Sequence, residues 1–225
     1  MKRIVLVGCS LLILACLVLA YGWVKGDFRG LLFVSKKNTC PTLQSPVNIS
    51  HVTSVLYPGQ ERGGDYKAHG GFRLAGLSNN NITVKAPISA KLTKAGRYIE
   101  IGEVQYIFIF ETNCGLTYRF DHLLTLAPKF QAVSDKLPLA KEGRSEFVSV
   151  GSDIEVEVGE TIATAVGFRH NDQGKPNVSF DFGVYLDRYD HGLCWLDLLP
   201  IDDATRLKAL PGGDYQSGKT SDYCH

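Results

Sequence analysis

Two of the six histidines stand where they could do chemistry. His69 lies in Tyr66-Lys67-Ala68-His69-Gly70-Gly71-Phe72-Arg73, and two glycines after a histidine let backbone approach a site closely. His122 ends a predicted strand in Phe120-Asp121-His122-Leu123. An imidazole in either place could ligate a metal or assist a water molecule. Neither is diagnostic alone, because a lone histidine in a β domain is more often a surface residue or a satisfied core residue. His51, His170, His191 and His225 complete the set. Other catalytic readings are weaker. Ser179 has no Gly-x-Ser-x-Gly context, and no Gly-Lys-Ser/Thr follows Gly63-Gly64. Glu155 and Glu157 alternate on one strand face and read as solvated. Asn48, Asn81 and Asn177 each open an Asn-x-Ser/Thr acceptor sequence, which matters only in a host that glycosylates such sites.

The elements that must position these groups read as short strands. Ile82–Ala86 and Ser89–Lys94 flank Pro87, Arg97–Ile101 follows a turn at Gly96, and Val104–Glu111 is aromatic and β-branched. Thr112-Asn113-Cys114-Gly115 reads as a turn, with Leu116–Phe120 returning as a hairpin. Asp121 to Leu126 suggests one helical turn, and residues 127–146 a polar excursion. Phe147–Val150, Ile154–Val158, Thr161–Val166 and Val178–Tyr185 follow as strands. Ile201–Leu210 is the best helix, with Asp202 and Asp203 near its start and Pro211 as its stop.

The chain has 225 residues, 44% hydrophobic and 21% charged, which excludes a disordered or collagen-like protein. A net charge of +1 leaves no basic surface for nucleic acid. Ile4–Val24 is a run of 21 residues without a charge, preceded by Lys2 and Arg3. It reads as a membrane anchor with the rest of the chain outside the cytoplasm. A cleaved signal ending at Val18-Leu19-Ala20 is the rival, and lipidation at Cys9 or Cys16 is a third reading. The predicted organisation is an anchor or signal over 1–24 and a linker and N-terminal arm over 25–64. A β domain over 65–187 and an extension over 188–225 complete it. Outside the anchor stand Cys40, Cys114, Cys194 and Cys224, an even number that predicts two disulfides in an oxidising compartment. No Cys-x-x-Cys pair offers a cysteine zinc site.

The order of the pieces carries a resemblance. A His-x-Gly motif at His69 precedes the Ile82-Thr-Val-Lys-Ala-Pro87 block. The hairpin ending in Phe120-Asp121-His122-Leu123 comes next, then Val158-Gly159-Glu160-Thr161-Ile162-Ala163. The strand Asn177-Val178-Ser179-Phe180-Asp181-Phe182 is last. Over about residues 65–187 this resembles the LytM/lysostaphin-type zinc metallopeptidases. The resemblance implies a mostly β, single antiparallel domain of the duplicated-hybrid-motif type, here with an N-terminal transmembrane helix and a short C-terminal helix. It also implies a zinc held by a His-x-x-x-Asp motif and the second histidine of a His-x-His motif. The first histidine of that pair and a strand-end histidine would assist the attacking water. His69 matches the first ligand and His122 the strand-end histidine. The aspartate position is Arg73, and the His-x-His position is Asn177-Val178-Ser179. A substitute ligand set of His69, His122, Asp181 and His170 has no spacing to support it.

The resemblance with these losses implies an envelope-facing domain without catalytic activity and with no cofactor. Its groove, lined by His69, Arg73, Asp121, Asn177, Ser179 and Asp181, would bind peptidoglycan or a cell-wall hydrolase. The alternative is a zinc endopeptidase cutting peptidoglycan cross-bridges, with His69 on the metal and His122 catalytic. Two further expectations follow. Arg73, buried near the old metal position, should pair with Asp181 or Asp121, because an unpaired buried charge is costly. Termini often lie close together, which favours Cys40–Cys224. In the resembled fold Cys114 and Cys194 lie together at the end away from the groove, which favours Cys114–Cys194.

Overall fold

The computed structural model describes residues 40–151, 154–170, 176–186 and 191–225. The predicted anchor over Ile4–Val24 lies outside the described residues, among which no helix is long and apolar enough to cross a membrane. The compact unit runs from Cys40 to His225. Its strands are β1 (Ser54–Leu56), β2 (Gln60–Arg62), β3 (Asp65–Lys67), β4 (Gly70–Arg73), β5 (Val84–Lys85) and β6 (Ala90–Glu100). They continue as β7 (Glu103–Glu111), β8 (Thr117–Leu126), β9 (Val148–Ser149), β10 (Glu155–Val156), β11 (Thr161–Val166) and β12 (Ser179–Tyr185). Among the described residues two helices, α1 (Pro128–Ser134) and α2 (Ile201–Ala209), and short 3-10 turns join these strands.

The main sheet is antiparallel, in the order β1-β4-β12-β8-β7-β6-β10. β11 leaves this path to pair β5 and β8, β9 pairs β6, and β2 with β3 forms a separate hairpin. Alternation along each strand sends one set of side chains inward. Phe72, Phe108, Phe110, Phe120, Phe180 and Phe182 are fully buried on that inner side, with Trp195 packed 4.7 Å from Phe72. Each such side chain contributes about 1.5–3 kcal/mol by leaving water. The stack makes the inner face rigid, and the opposite face of β4, β12 and β8 is held in register as a platform.

The expected boundaries at 65 and 187 fall inside this unit. Residues 40–64 supply β1 and β2 and bury Leu43, Val47, Ile49, Val52 and Val55 in the core. The tail buries Trp195, Leu196 and Leu207 in the same core. Asp121 to Leu126 is not a helical turn but the second half of β8, because β11 pairs it, with Val166 opposite Leu123 and Ala163 opposite Leu126. Such long-range pairing overrides local preference. The polar excursion contains α1, which starts at Pro128 and buries Phe130 and Val133 three residues apart. Gly96 lies within β6 and not at a turn.

Both disulfides form, with other partners than expected: Cys40–Cys114 and Cys194–Cys224, at Cα separations of 5.3 and 4.9 Å. The reason is the course of the tail. It runs beside β1, where Gly213 N–H donates to the Val55 carbonyl. It then reaches the β2–β3 hairpin, where Asp222 N–H donates to the Gly59 carbonyl. That path ends beside Cys194, while Cys40 meets the β7–β8 turn that carries Cys114.

Candidate functional site

Three adjacent strands present a polar cluster. Gly71 of β4 stands opposite Asp181 of β12, which stands opposite Asp121 of β8. Alternation puts Arg119 on the same face as Asp121, and Ser179 and Gly183 on that of Asp181. Two glycines make the space. A Cβ on Gly71 would lie 2.5 Å from the Phe180 carbonyl and 3.1 Å from Asp181 Oδ1, and one on Gly183 would lie 2.9 Å from His69 Cβ. Gly71, two residues after His69, therefore makes room for the carboxylate as well as for backbone.

His122 enters the cluster through a β-bulge. Tyr106 pairs Leu123 and Phe108 pairs Phe120, so Asp121 and His122 together face Ile107 alone. His122 takes φ +60, a left-handed conformation uncommon for a residue with a side chain. The bulge is held from both sides. The His122 N–H donates to Asp121 Oδ1 at 2.8 Å, and the His122 carbonyl accepts from Gly167 N–H at 2.8 Å.

Around the imidazole the partners are specific. Gln105 is fully buried, and its amide nitrogen donates to the Gly167 carbonyl at 3.2 Å. Its oxygen therefore faces His122 Nδ1, at 2.7 Å, and an amide oxygen only accepts. Nδ1 therefore carries a proton directed at Gln105, and Nε2 points toward Asp181 Oδ2 at 3.7 Å. His69 Nε2 reaches the same oxygen at 2.9 Å. Asp121 accepts from Arg119 at 2.7 Å and from the Tyr98 hydroxyl at 2.5 Å. Glu100 Oε2 is 3.7 Å from His122 Nδ1, and the Phe168 ring packs 5.0 Å from the imidazole. The buried Asn79 amide donates to the Val166 and Phe168 carbonyls and so holds the segment carrying Gly167.

Charge follows this geometry. Burial disfavours a charged His122, but Asp121, Asp181 and Glu100 outweigh it and push the pKa up to about 9. Burial alone would raise Asp181; the His122 and His69 imidazoles beside it instead hold it well below the usual carboxylate range. Burial pushes Glu100 up, against the pull of His122. Burial and the neighbouring Asp121 carboxylate push the Tyr98 phenol far up.

Of the predicted site residues, His69, Asp121, His122 and Asp181 meet. Ser179 is buried one ladder step away, opposite Arg73, and Asn177 precedes β12 and bridges to Phe168. Arg73 is a correction. Among the described residues it has no ion pair, and its Nε is buried without a partner. Its stem lies against Gly213, and it lines a cleft of about 510 Å³ with Ala75, Leu77, Asn177 and Val178. Asp181 is held by the two histidines, and the arginine on Asp121 is Arg119, two residues back on the same strand face. His170 is exposed and pairs with Glu103, away from the cluster. Sequence reasoning missed Tyr98, Gln105, Arg119 and Asn79. The signals were a polar residue at an inward position of an apolar strand, for Gln105, and the i, i+2 spacing of Arg119 and Asp121.

Zinc at the positions the resemblance implies does not fit. Arg73 brings a fixed positive charge there, and Ser179 a neutral hydroxyl. One ladder step along, the donor set differs: Asp121, His122 and Asp181 each offer an atom within 4.8 Å of the others.

No protein-family model matches the chain, and no curated protein matches it. Among solved structures it is similar to Csd3 of Helicobacter pylori, at 13% identity and a TM-score of 0.38, over 75% of this chain and 40% of that one. It is also similar to a Ruminococcus gnavus protein described as a glycyl-glycine endopeptidase, LytM. There identity is 12% and the TM-score 0.36, over 70% of this chain and 61% of that one. This chain thus spans less than two thirds of the length of either.

Proposed function

We propose that this chain is a LytM-like domain that binds peptidoglycan without cutting it, held at a membrane by residues 4–24 and facing the cell envelope. One observation carries the reading. Arg73 and Ser179 stand opposite each other in the ladder where a metal would need an acid and an imidazole, and Asn177 replaces a histidine that would assist the water. His122, the other assisting group, has its pKa pushed up to about 9 by Asp121, Asp181 and Glu100, so at neutral pH it carries its proton already and does not take one from water. The two disulfides suit an oxidising extracytoplasmic compartment. A cell-wall hydrolase is the other occupant the groove could serve, and it enters as an outcome of the test.

The zinc endopeptidase reading has one observation in its favour, the converging donors of Asp121, His122 and Asp181. The test is sedimentation of the soluble part of the chain with purified sacculi, together with chromatography of the supernatant. Binding without release of muropeptides, with or without added zinc, is expected. Release that depends on zinc and on His69 replaces the proposal with the endopeptidase. Failure to sediment moves the ligand from the wall itself to a protein that works on it.

A further inference from the structure

Among the described residues four arginines are buried or half-buried: Arg62, Arg73, Arg97 and Arg119. Three are taken up within the chain. Arg62 donates to the Tyr57 and His69 carbonyls, Arg97 to those of Leu137 and Pro138, and Arg119 to the Asp121 carboxylate. Arg73 has no such partner, and its Nε is shut off from water without a hydrogen bond. A guanidinium carries five N–H donors and a charge that proteins do not remove. Leaving one half-buried and unpaired is costly. The fold holds it there even so. Gly213 lies against its stem, where a Cβ would meet Arg73 Cδ and Nε at 3.1 Å, and Gly213 N–H is tied to the Val55 carbonyl.

Arg73 lines the cleft of about 510 Å³ between the end of β4 and the start of β12. That volume lies in the range of small-ligand sites. Two kinds of surface meet in it. Ala75, Leu77, Pro176 and Val178 are apolar. Arg73 and Asn177 are polar, and alternation puts both on the face of Ser179. The Asn177 N–H and carbonyl are both paired with Phe168, so its carboxamide is the group it can offer a ligand. A planar guanidinium forks onto a carboxylate with two parallel hydrogen bonds. A carboxamide beside it donates and accepts, which suits the amide that precedes a peptide's last carboxylate. The apolar wall suits a small side chain on that last residue. Two acids of the chain lie close by, and neither pairs with Arg73. Asp181, one ladder step away, holds the His69 and His122 imidazoles. Asp214 follows Gly213, and its Oδ1 accepts from the Gln216 and Ser217 N–H groups.

We infer that this cleft is a carboxylate subsite: Arg73 clamps the free C-terminal carboxylate of a short peptide, Asn177 takes the preceding amide, and the apolar wall accepts a small last side chain. The subsite needs no metal and uses none of His69, His122 or Asp181. It deepens the peptidoglycan reading and rests on it for the source of the peptide. A stem peptide that is not cross-linked keeps a free terminal carboxylate, and one joined through that end has lost it. The domain then reads open peptide ends, not the sugar strand.

The test uses the compact unit from Cys40 to His225, which contains both disulfides and the buried core. N-acetyl-D-alanyl-D-alanine is titrated in and followed by the arginine Nε–H signals in NMR. Its C-terminal carboxamide and inorganic phosphate run in parallel. The carboxylate peptide should shift the Arg73 Nε–H signal, and the carboxamide should bind at least about tenfold more weakly, because the charge-assisted forked contact is lost. Arg73→Ala should weaken the carboxylate peptide by a similar factor. Arg73→Lys should recover only part of it, because an ammonium cannot fork. Asn177→Ala should weaken the peptide about threefold, as loss of a neutral hydrogen bond does. Equal affinity of the wild type for carboxylate and carboxamide overturns the proposal without any variant. So does phosphate that binds as tightly as the peptide, which marks a bare anion site. Sedimentation with sacculi keeps the two readings apart. A wild type that sediments but treats the two peptides alike loses this subsite and keeps the peptidoglycan reading. One that selects the carboxylate but does not sediment keeps the subsite and loses its source in the wall.

Discussion

Asp121 is the residue whose removal should cost most. Its side chain is 8% exposed, and it satisfies Arg119 at 2.7 Å, the Tyr98 hydroxyl at 2.5 Å and the His122 N–H at 2.8 Å. Asp121→Ala leaves the Arg119 guanidinium, itself only 22% exposed, without a counter-charge. Breaking a buried pair from one side costs about 3–5 kcal/mol. The residual exposure of Arg119 argues for the lower end. Removing one of two facing carboxylates also returns about 0.2–1 kcal/mol of like-charge repulsion. The net expectation is a loss of about 2–3 kcal/mol, a large part of the 5–15 kcal/mol typical of a domain. Asp121→Asn keeps an oxygen for Tyr98 and for the His122 N–H, and should cost about half as much. The assay is urea unfolding at constant m, backed by a thermal shift of roughly 2–4 °C per kcal/mol for a domain of this size. A double-mutant cycle with Arg119→Met should show coupling of at least about 1 kcal/mol, since the orphaned charge is then gone. A loss below about 1 kcal/mol for Asp121→Ala, or coupling under about 0.5 kcal/mol, would refute the idea that this pair anchors the cluster.

Two further outcomes follow from the same geometry. Asp121, Asp181 and Glu100 push the His122 pKa up to about 9, against about 6.5 in an unfolded chain. Its raised pKa adds stability that is complete below about pH 6.5 and disappears as pH rises through 9, up to about 3 kcal/mol. Urea midpoints from pH 6 to 10, as the difference between wild type and His122→Asn, should show that decline, and a flat difference would exclude it. Gly71→Ala places a Cβ 2.5 Å from the Phe180 carbonyl, so β4 and β12 must part. About 3 kcal/mol of destabilisation is expected, and an unshifted melting curve would show that the strands are not in this register.

Much of the sheet was legible because period-two alternation is a local signal. Phe180 and Phe182 lie inward and Asp181 on the opposite face of β12, as the pattern Val178-Ser179-Phe180-Asp181-Phe182 requires. What was not legible is long range. No local feature tells β8 to continue past Asp121, because its second half exists to pair β11. The disulfide partners depended on where the tail crosses the β2–β3 hairpin, which closeness of termini does not specify. The residues of the polar cluster were named in the sequence, but their meeting was not legible for the same reason. His69, His122 and Asp181 have no common sequence spacing, and only the ladder of β4, β12 and β8 brings them together. Arg73 was misplaced because sharing a face does not decide which acid a long side chain reaches. A nearer arginine, Arg119, was already beside Asp121.

The ladder also explains how a polar cluster can move without a change of fold. Arg73 faces Ser179 and Gly71 faces Asp181, so the two pairs are adjacent steps on one face of the same two strands. Shifting the acidic donor by two residues displaces it roughly 7 Å along the strand and keeps it on that face. The step succeeds only where the opposing residue is small, which Gly71 supplies, and where a second strand brings an imidazole across, which the bulge at His122 supplies. Placing Asp181 there sets it against Asp121, and that opposition is the cost of the new position. Arg119 relieves one side of it. His69 and His122 relieve the other.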